Sequence, residues 1–228
     1  YFFGSLALQQ THTITIQLKH IYRQSDRTFI DLLNKVRNNQ MDQTVFDQLN
    51  SRYIPNFQPK DEEGYITLTS HNATANTIND TRLLALKTSK HRFKATIKGN
   101  FPQHTFPTLE SLELKVGAQV VFVKNDISGD KLYYNGKIGQ VEEIKDEEIL
   151  VKCPNESDVI SVRAVDWNNI KYNLDEDTKE VKEEELGTFT QYPLKLAWAI
   201  TIHKSQGLTF ERAIIDAKSA FAHGQVYV

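Results

Sequence analysis

The stretch that decides the fold is Pro193-Leu-Lys-Leu-Ala-Trp-Ala-Ile-Thr-Ile-His-Lys-Ser-Gln-Gly-Leu-Thr-Phe210. Pro193 suits the first position of a helix, and Gly207 suits the left-handed position just past a helix end. The stretch therefore predicts a helix between these two residues. Its first half is apolar, which predicts burial. Its second half gathers polar side chains, which is typical of an anion-binding site at a helix terminus. These side chains belong to Thr201, His203, Lys204, Ser205 and Gln206.

The polar half of this stretch has two interpretations. Taken singly, its residues are typical of a surface helix end, where Lys and His complement the helix dipole. Taken together, they resemble the fifth conserved motif, Thr-x-His-Lys-Ser-Gln-Gly, of RecD-like, Pif-type superfamily-one DNA helicases. In that family the motif lies between single-stranded DNA and the ATP γ-phosphate. The resemblance implies that Thr201, His203 and Lys204 contact DNA, and that Gln206 and Gly207 face the nucleotide.

Length and composition limit the possible classes of protein. The chain has 228 residues, 39% of them hydrophobic and 25% charged, which is an ordinary soluble globular composition. A formal net charge of −2 argues against a generally basic nucleic-acid coat protein, so any DNA contact must come from a local site. The one cysteine, Cys153, lies in an apolar run, which predicts a buried residue and allows no internal disulfide.

Targeting signals and the chain ends give further expectations. No apolar run approaches the ~20 residues that a membrane span requires. No signal peptide is visible. These features predict a cytoplasmic protein with no membrane partner. The chain starts with Tyr1 rather than Met and stops within a pattern typical of a helix start, so we expect a piece of a longer protein.

A strand-to-helix junction is predicted near the start of the chain. Weak alternation around Ile14 predicts a strand, and Ser25 and Asp26 are good helix N-caps. Arg23 then lies in the junction, where an arginine is usually an ordinary surface or ion-pair residue. The segment Tyr22–Asp26 also resembles the fourth motif of the same helicase family. The resemblance implies that Arg23 reaches the γ-phosphate, and a guanidinium can make bidentate bonds to phosphate oxygens.

A second junction follows. Tyr65–Thr69 is rich in β-branched residues and predicts a strand, and Asn72 predicts the N-cap of the next helix. Polar groups at such a junction can bind an anion, although plain capping accounts equally well for Ser70 and Asn72. The resemblance implies that Ser70 and Asn72 grip the DNA backbone. Much later, Phe210–Asp216 is apolar enough to predict a buried parallel strand.

After the second junction the pattern becomes all-β. Short strands are predicted from Phe93 onward, with turn signals at Asn135-Gly136 and Ile138-Gly139. Such a pattern indicates a small barrel. It resembles the barrel of the Src-homology-three (SH3) type that interrupts the second motor domain in the helicase family. The acidic run Asp175–Glu185 predicts a solvated edge that faces away from DNA.

The predicted fold class is therefore α/β, a RecA-like parallel-sheet motor domain with an inserted small SH3-like β-barrel. The first part of the motor domain would cover residues 1–114, the barrel 115–190, and the second part 191–228. Near the end, Gly224–Val228 resembles the opening of the sixth motif, which implies a nucleotide contact from Gln225. No Gly-x-x-x-x-Gly-Lys-Ser/Thr loop occurs, because Ile138 follows the nearest pair, Gly136-Lys137.

The resemblance implies the second motor domain of an ATP-dependent DNA helicase, of the kind used in DNA repair. ATP and Mg²⁺ would be needed by the full-length protein, together with a missing N-terminal motor domain, to move along single-stranded DNA. Because the phosphate loop is absent, we expect this chain alone to be inactive and to bind neither ATP nor Mg²⁺. Two alternatives stay open, namely a non-catalytic nucleic-acid-binding module and a protein-interaction module built on the same fold.

Overall fold

The structure is a computed structural model that describes residues 4–16, 25–60, 63–174, 180–216, 218 and 220. These residues form two compact units, one before Asn56 and one from Asn56 onward. In the first unit, residues 12–16 have no regular secondary structure, so the strand predicted around Ile14 does not form there. Within the described residues, no helix is both long and apolar enough to span a membrane.

The first unit consists of short helices. They are α1 Leu6–Gln10, α2 Arg27–Arg37 and α3 Gln43–Asn50. The carboxylate of Asp26 accepts from the Phe29 N–H at 3.2 Å, and that of Asp42 accepts from the Val45 N–H at 2.8 Å. Each satisfies a donor that a helix start leaves without an intrahelical acceptor. Asp26 is therefore the N-cap of α2, as its residue type predicts.

The second unit contains a small parallel sheet with strand order β12-β1-β13. Its strands are β1 Ile66–Thr69, β12 Ala199–Thr201 and β13 Ala213–Asp216. Helix α4, Asn72–Ala85, follows β1 and buries Ala75 and Leu83. The predicted strands at Tyr65–Thr69 and Phe210–Asp216 are thus confirmed, and the second is parallel as predicted. The predicted burial of the latter is wrong, because β13 is an edge strand and Ile215 is 70% exposed.

The single helix predicted between Pro193 and Gly207 is also wrong. The segment instead forms β11 Leu194–Leu196, then β12, and only then the short helix α5 Ile202–Ser205. The physical reason is pairing with distant strands, since β11 hydrogen-bonds to β5, Gln119–Phe122, and β12 hydrogen-bonds to β1. The left-handed position is confirmed, because Gly207 has φ +86°.

Antiparallel sheets occupy the chain between α4 and β12. A five-stranded sheet has the order β11-β5-β6-β7-β8, a three-stranded sheet the order β3-β10-β9, and β2 pairs with β4. The strands are β2 Lys90–Lys94, β3 Thr96–Gly99, β4 Ser111–Lys115, β5 Gln119–Phe122, β6 Ile138–Ile144, β7 Ile149–Lys152, β8 Val159–Val162, β9 Val165–Leu174 and β10 Val181–Gln191, with a short 3₁₀ helix at Gln103–Thr105.

The main core lies between these sheets and α4. It includes Leu112, Phe122 and Val151, all fully buried, together with Cys153, which confirms the predicted burial of the cysteine. The thiol is inert as a nucleophile, because burial raises its pKa to about 11.

Two details differ from the sequence-based expectations. Ile138-Gly139 is not a turn but lies within β6, where a Cβ on Gly139 would come within 2.4 Å of Val151 Cγ1. The glycine therefore permits close approach of β7. Strands β3 and β11 lie outside residues 115–190 yet pair with strands inside that range.

A buried glutamine joins the antiparallel region to the parallel sheet. Gln119 Nε2 donates to the carbonyl oxygens of Tyr65 and Ala197, at 2.8 and 2.7 Å. The Ala197 N–H in turn donates to the Gln119 backbone carbonyl at 2.9 Å. Gln119 thus fixes the residue before β1 and the approach to β12 against the start of β5.

Candidate nucleic-acid interface

The candidate site lies at the carboxyl ends of β1 and β12. The two strands are parallel and in register, with Thr69 opposite Thr201. Ser70 follows Thr69 directly, and Ser70 and Thr201 are each 4% exposed, so both strands end in buried hydroxyl-bearing residues. The carboxyl edge of a parallel α/β sheet is where ligands of such folds commonly bind. We call this place the strand-end edge, defined by Ser70, Asn72, Thr201, His203 and Lys204.

The β1 side of the strand-end edge is built by the turn into α4. Ser70 Oγ lies 2.7 Å from His71 Nδ1. His71, with extended backbone angles of φ −121° and ψ 136°, is the N-cap of α4. Asn72 is already helical, which corrects its predicted capping role. As the exposed first residue of the helix, Asn72 has its side chain at the surface.

The β12 side is built by α5. Thr201 ends β12 and precedes the helix, and Ile202 anchors α5 by its burial. His203 and Lys204 are exposed on this one turn of helix. Two side chains at the predicted DNA site therefore face solvent next to a buried strand end.

The predicted nucleotide contacts follow α5. Gln206 is exposed, and Gly207 adopts the left-handed conformation with open space around the position of a Cβ. The structure thus brings five predicted DNA residues and two predicted nucleotide residues to the strand ends and their adjoining turns. The other two predicted site residues, Arg23 and Gln225, lie outside the described residues.

One positioning residue has no signal in a sequence motif. Asn79 of α4 donates from Nδ2 to the Ala199 carbonyl, and its Oδ1 accepts from the Ala199 N–H, both at 2.9 Å. The amide thus satisfies both backbone groups of one residue in the edge strand β12. It ties α4 to the strand that carries Thr201.

A second residue missed by the motifs is Lys195 of β11. Burial lowers the pKa of its ammonium, and the neighbouring Lys204 ammonium lowers it further. A lysine that interrupts an apolar strand pattern is the only sequence signal for it. No group of three His, Cys, Asp or Glu side chains that could hold a metal ion is found in the part of the chain that the structure describes.

The class of protein follows from these elements. The chain is a mixed α/β protein whose parallel sheet presents buried hydroxyls and exposed basic groups at its carboxyl edge. Along the chain, the strands of the antiparallel sheets lie between β1 and β12, the two strands that lead to the site. No protein-family model matches the chain.

Comparison with known proteins identifies its relatives. The chain is 30% identical to the ATP-dependent DNA helicase Pif1 of Campylobacter jejuni, covering 100% of this chain and 53% of that protein. It is 36% identical to Pif1 of a Bacteroides species in complex with ADP-AlF4, with a TM-score of 0.89, covering 100% of this chain and 51% of that one. Against Bacteroides Pif1 bound to single-stranded DNA the TM-score is 0.63 at the same identity.

The chain is therefore homologous to the Pif1-family superfamily-one DNA helicases. It spans about half the length of these relatives.

Proposed function

We propose that the chain is the second motor domain of an ATP-dependent DNA helicase of the RecD-like, Pif-type group. The observation that carries the proposal is the strand-end edge, where Thr201 is in register with Thr69, Ser70 follows directly, and Lys204 is exposed three positions after Thr201. Homology over the whole chain to proteins named as ATP-dependent DNA helicases supports it. The complete protein would move along single-stranded DNA and separate duplexes, in the cytoplasm and in processes such as DNA repair.

The strand-end edge would hold phosphates of a single strand. Hydroxyls and Asn amides donate hydrogen bonds to phosphate oxygens, and Lys204 adds a point charge. Such contacts carry no sequence information, which suits a motor that must pass over every sequence. The fixed backbone of β1 and β12 holds Ser70 and Thr201 at a constant spacing. We therefore assign Ser70, Asn72, Thr201, His203 and Lys204 to the DNA backbone.

Nucleotide contacts would come from the other side of the same turn. Gln206, Gly207 and Gln225 are proposed to face ATP, and open space around Gly207 fits a close approach of phosphate to the backbone. Arg23 is proposed to stabilise the charge that develops during phosphoryl transfer. When bound, ATP with Mg²⁺ supplies the transferable phosphoryl group. The phosphate loop would come from an N-terminal motor domain, and we assign no residue of this chain to Mg²⁺.

We also propose the domain division at 1–114, 115–190 and 191–228, with an SH3-like barrel in the middle segment. The antiparallel sheet of β5 to β8 supports a separate β-rich insert, since none of its strands pairs with β1 or β13. Strand β11 would then mark the boundary between the insert and the motor domain, because it pairs with β5 of that sheet and leads directly into β12.

The test compares the complete protein with this chain alone. We expect the complete protein to hydrolyse ATP when single-stranded DNA is added and to separate the strands of a partial duplex. We expect the isolated chain to hydrolyse ATP no faster than background. DNA-stimulated turnover by the isolated chain, free of contaminating ATPases, would falsify the assignment. A complete protein that binds DNA without hydrolysing ATP would support the non-catalytic binding module instead.

A further inference from the structure

One face of the two-stranded sheet of β2 and β4 is strongly basic. Leu112 and Leu114 of β4 are fully buried, so strand alternation turns the residues on either side of them outward. Residues directly opposite each other on two antiparallel strands share a face. The outward residues of the two strands are therefore Lys90, Arg92, Lys94, Ser111, Glu113 and Lys115. We call this surface the basic face, defined by these six residues.

The basic face has a large surplus of positive charge. It carries four cations and one carboxylate, a net charge of +3, in a chain whose formal net charge is −2. Lys90 Nζ donates to Glu113 Oε2 at 3.0 Å, and Arg92 Nη2 donates to Glu113 Oε1 at 2.6 Å. These two donors lower the pKa of Glu113, so its carboxylate stays ionised. Lysine and arginine gathered on one face are typical of a surface that binds nucleic acid.

The three cations of β2 form an extended and accessible row. Alternate residues of a strand lie about 6.8 Å apart, so Lys90, Arg92 and Lys94 span about 14 Å. The side chains of Lys90 and Arg92 are 48% and 65% exposed, although Glu113 holds their charged groups. Lys94 is exposed as well, and its ammonium makes no ion pair with the described residues. Such a row fits an extended polyanion better than a small anion.

The basic face lies at the far end of α4 from the strand-end edge. The edge is at the start of α4, and this helix of 14 residues is about 21 Å long. Just beyond its other end, the Leu86 carbonyl accepts from Lys115 Nζ at 2.6 Å, and Thr88 Oγ1 donates to the Val116 carbonyl at 2.7 Å. One phosphate therefore cannot touch both surfaces, so the two would contact different parts of a nucleic acid.

We propose that the basic face binds the sugar-phosphate backbone of duplex DNA while the strand-end edge holds the single strand. The proposal rests on the proposed function and deepens it. The shared chemistry is a phosphodiester backbone, which a single strand or a duplex could supply. The duplex is favoured because sites for single strands combine cations with aromatic side chains that stack on bases, and none of the six residues of the basic face is aromatic. Duplex DNA carries one charge for about every 1.7 Å of its axis, so the row can face several phosphates at once.

The experiment compares two fluorescent probes bound to the complete protein over a range of salt concentrations. One probe is an oligothymidylate, and the other is a duplex that carries the same oligothymidylate as a single-stranded tail. On the tailed duplex, we expect Lys94→Gln to reduce the slope of log affinity against log salt by about 0.9, the duplex value for one neutralised phosphate. The double change Lys90→Gln and Lys94→Gln should reduce it by about 1.8. Neither variant should change the slope on the oligothymidylate alone.

Two control variants accompany these changes. Lys94→Arg keeps the charge and should retain the slope on the tailed duplex. Lys171→Gln removes an exposed lysine from β9, which lies in a different sheet, and should leave both slopes unchanged. If Lys171→Gln lowers the duplex slope as much as Lys94→Gln does, the effect belongs to the total charge and the proposal is overturned.

The outcomes separate this inference from the proposed function. If Lys204→Ala reduces the slope on the oligothymidylate while Lys94→Gln changes neither probe, the inference on the basic face is overturned and the proposed function stands. If Lys94→Gln reduces the slope equally on both probes, the face binds a single strand and the duplex assignment is wrong. If the complete protein binds neither probe, both proposals are overturned.

A second measurement needs no substitution. Exposed lysines of the complete protein are acetylated with and without each probe, and the modified peptides are quantified by mass spectrometry. Lys94 should be protected by the tailed duplex but not by the oligothymidylate, whereas Lys171 should react at the same rate in every case. An unchanged rate of Lys94 acetylation at saturating tailed duplex would contradict the proposal.

Discussion

The strand-end edge and the β9–β10 ribbon are held in place by different means. At the edge, β1 is paired on both sides, Asn79 satisfies β12, and Gln119 fixes the backbone beneath. In the ribbon, β3 pairs only with Gly187–Thr190, so the part nearer Val181 is two-stranded. Fixed backbone positions suit a site that must hold phosphates at constant spacing, whereas a two-stranded ribbon alone is marginally stable.

The strand-end edge and the ribbon also differ in the charge of their side chains. In the two-stranded part of the ribbon, between Val181 and Glu185, the outward face carries exposed apolar residues beside Glu183 and Glu185. The apolar residues are Ile170, Tyr172, Leu174 and Val181. From Asp175 to Glu185 the sequence has seven acidic and two basic side chains. This charge repels phosphate, so we predict that the ribbon lies away from DNA while the strand-end edge contacts it.

The largest effect is expected from Arg23→Ala in the complete protein. We expect ATP turnover to fall by roughly 10³–10⁵ with DNA affinity nearly unchanged, because the guanidinium is proposed to act on charge that develops during phosphoryl transfer. Steady-state kcat and oligothymidylate affinity are the measurements, and Arg37→Ala is the control. Near-normal turnover, with a stability loss of no more than about 1 kcal/mol, would indicate an ordinary surface ion pair.

Asn79→Ala should produce the largest loss of stability at the edge. The change leaves the buried N–H and carbonyl of Ala199 without their side-chain partner, and each unsatisfied buried group costs about 1–3 kcal/mol. Urea unfolding measures the loss. Asn76→Ala, at an exposed position of the same helix, should change the free energy of unfolding by less than about 0.5 kcal/mol. Equal effects of the two changes would show that Asn79 does not fix β12.

A smaller loss is expected where the ribbon meets β3. A Cβ on Gly187 would lie 2.7 Å from backbone atoms of Asn100, so Gly187→Ala should destabilise the protein by about 1–3 kcal/mol. Gly129→Ala is a matched control, since nothing lies within 4 Å of the added methyl group. Thermal unfolding of both variants would distinguish them, and an unchanged midpoint for Gly187→Ala would contradict the tight approach.

The smallest effect is expected at the end of the ribbon. Tyr172 is 63% exposed, so Tyr172→Ser should change the free energy of unfolding by less than about 0.5 kcal/mol. DNA affinity should not change either. A clear loss of affinity would place the ribbon against the nucleic acid and would remove the contrast between the two regions.

The structure brings the motif residues together but gives their segment a different local form from the predicted one. Thr201 ends β12, and His203 and Lys204 follow it in α5, yet the predicted helix begins nine positions too early, at Pro193 rather than at Ile202. Leu, Ala and Lys favour helices. Strands of three residues are too short to show the two-residue alternation of a β-strand in the sequence. Pairing with β5 and β1 overrides the helix propensity of these residues.

The missed residues depend on contacts between distant parts of the chain. Asn79 lies 120 positions from its partner Ala199, and no local pattern predicts that pairing. Gly139 was predicted as a turn because glycine is common there, but here it allows β6 and β7 to approach. By contrast, the cap at Asp26 depends on a hydrogen bond between residues only three positions apart, and the sequence predicts it.

The central claim is that the strand-end edge, and not the ribbon, binds single-stranded DNA. The most direct test is the salt dependence of oligothymidylate binding to the complete protein carrying Lys204→Ala or, as a matched change in the ribbon, Lys171→Ala. We predict that Lys204→Ala lowers the slope by about 0.7 and that Lys171→Ala leaves it unchanged. An unchanged slope for Lys204→Ala, or an equal reduction for Lys171→Ala, would contradict the account.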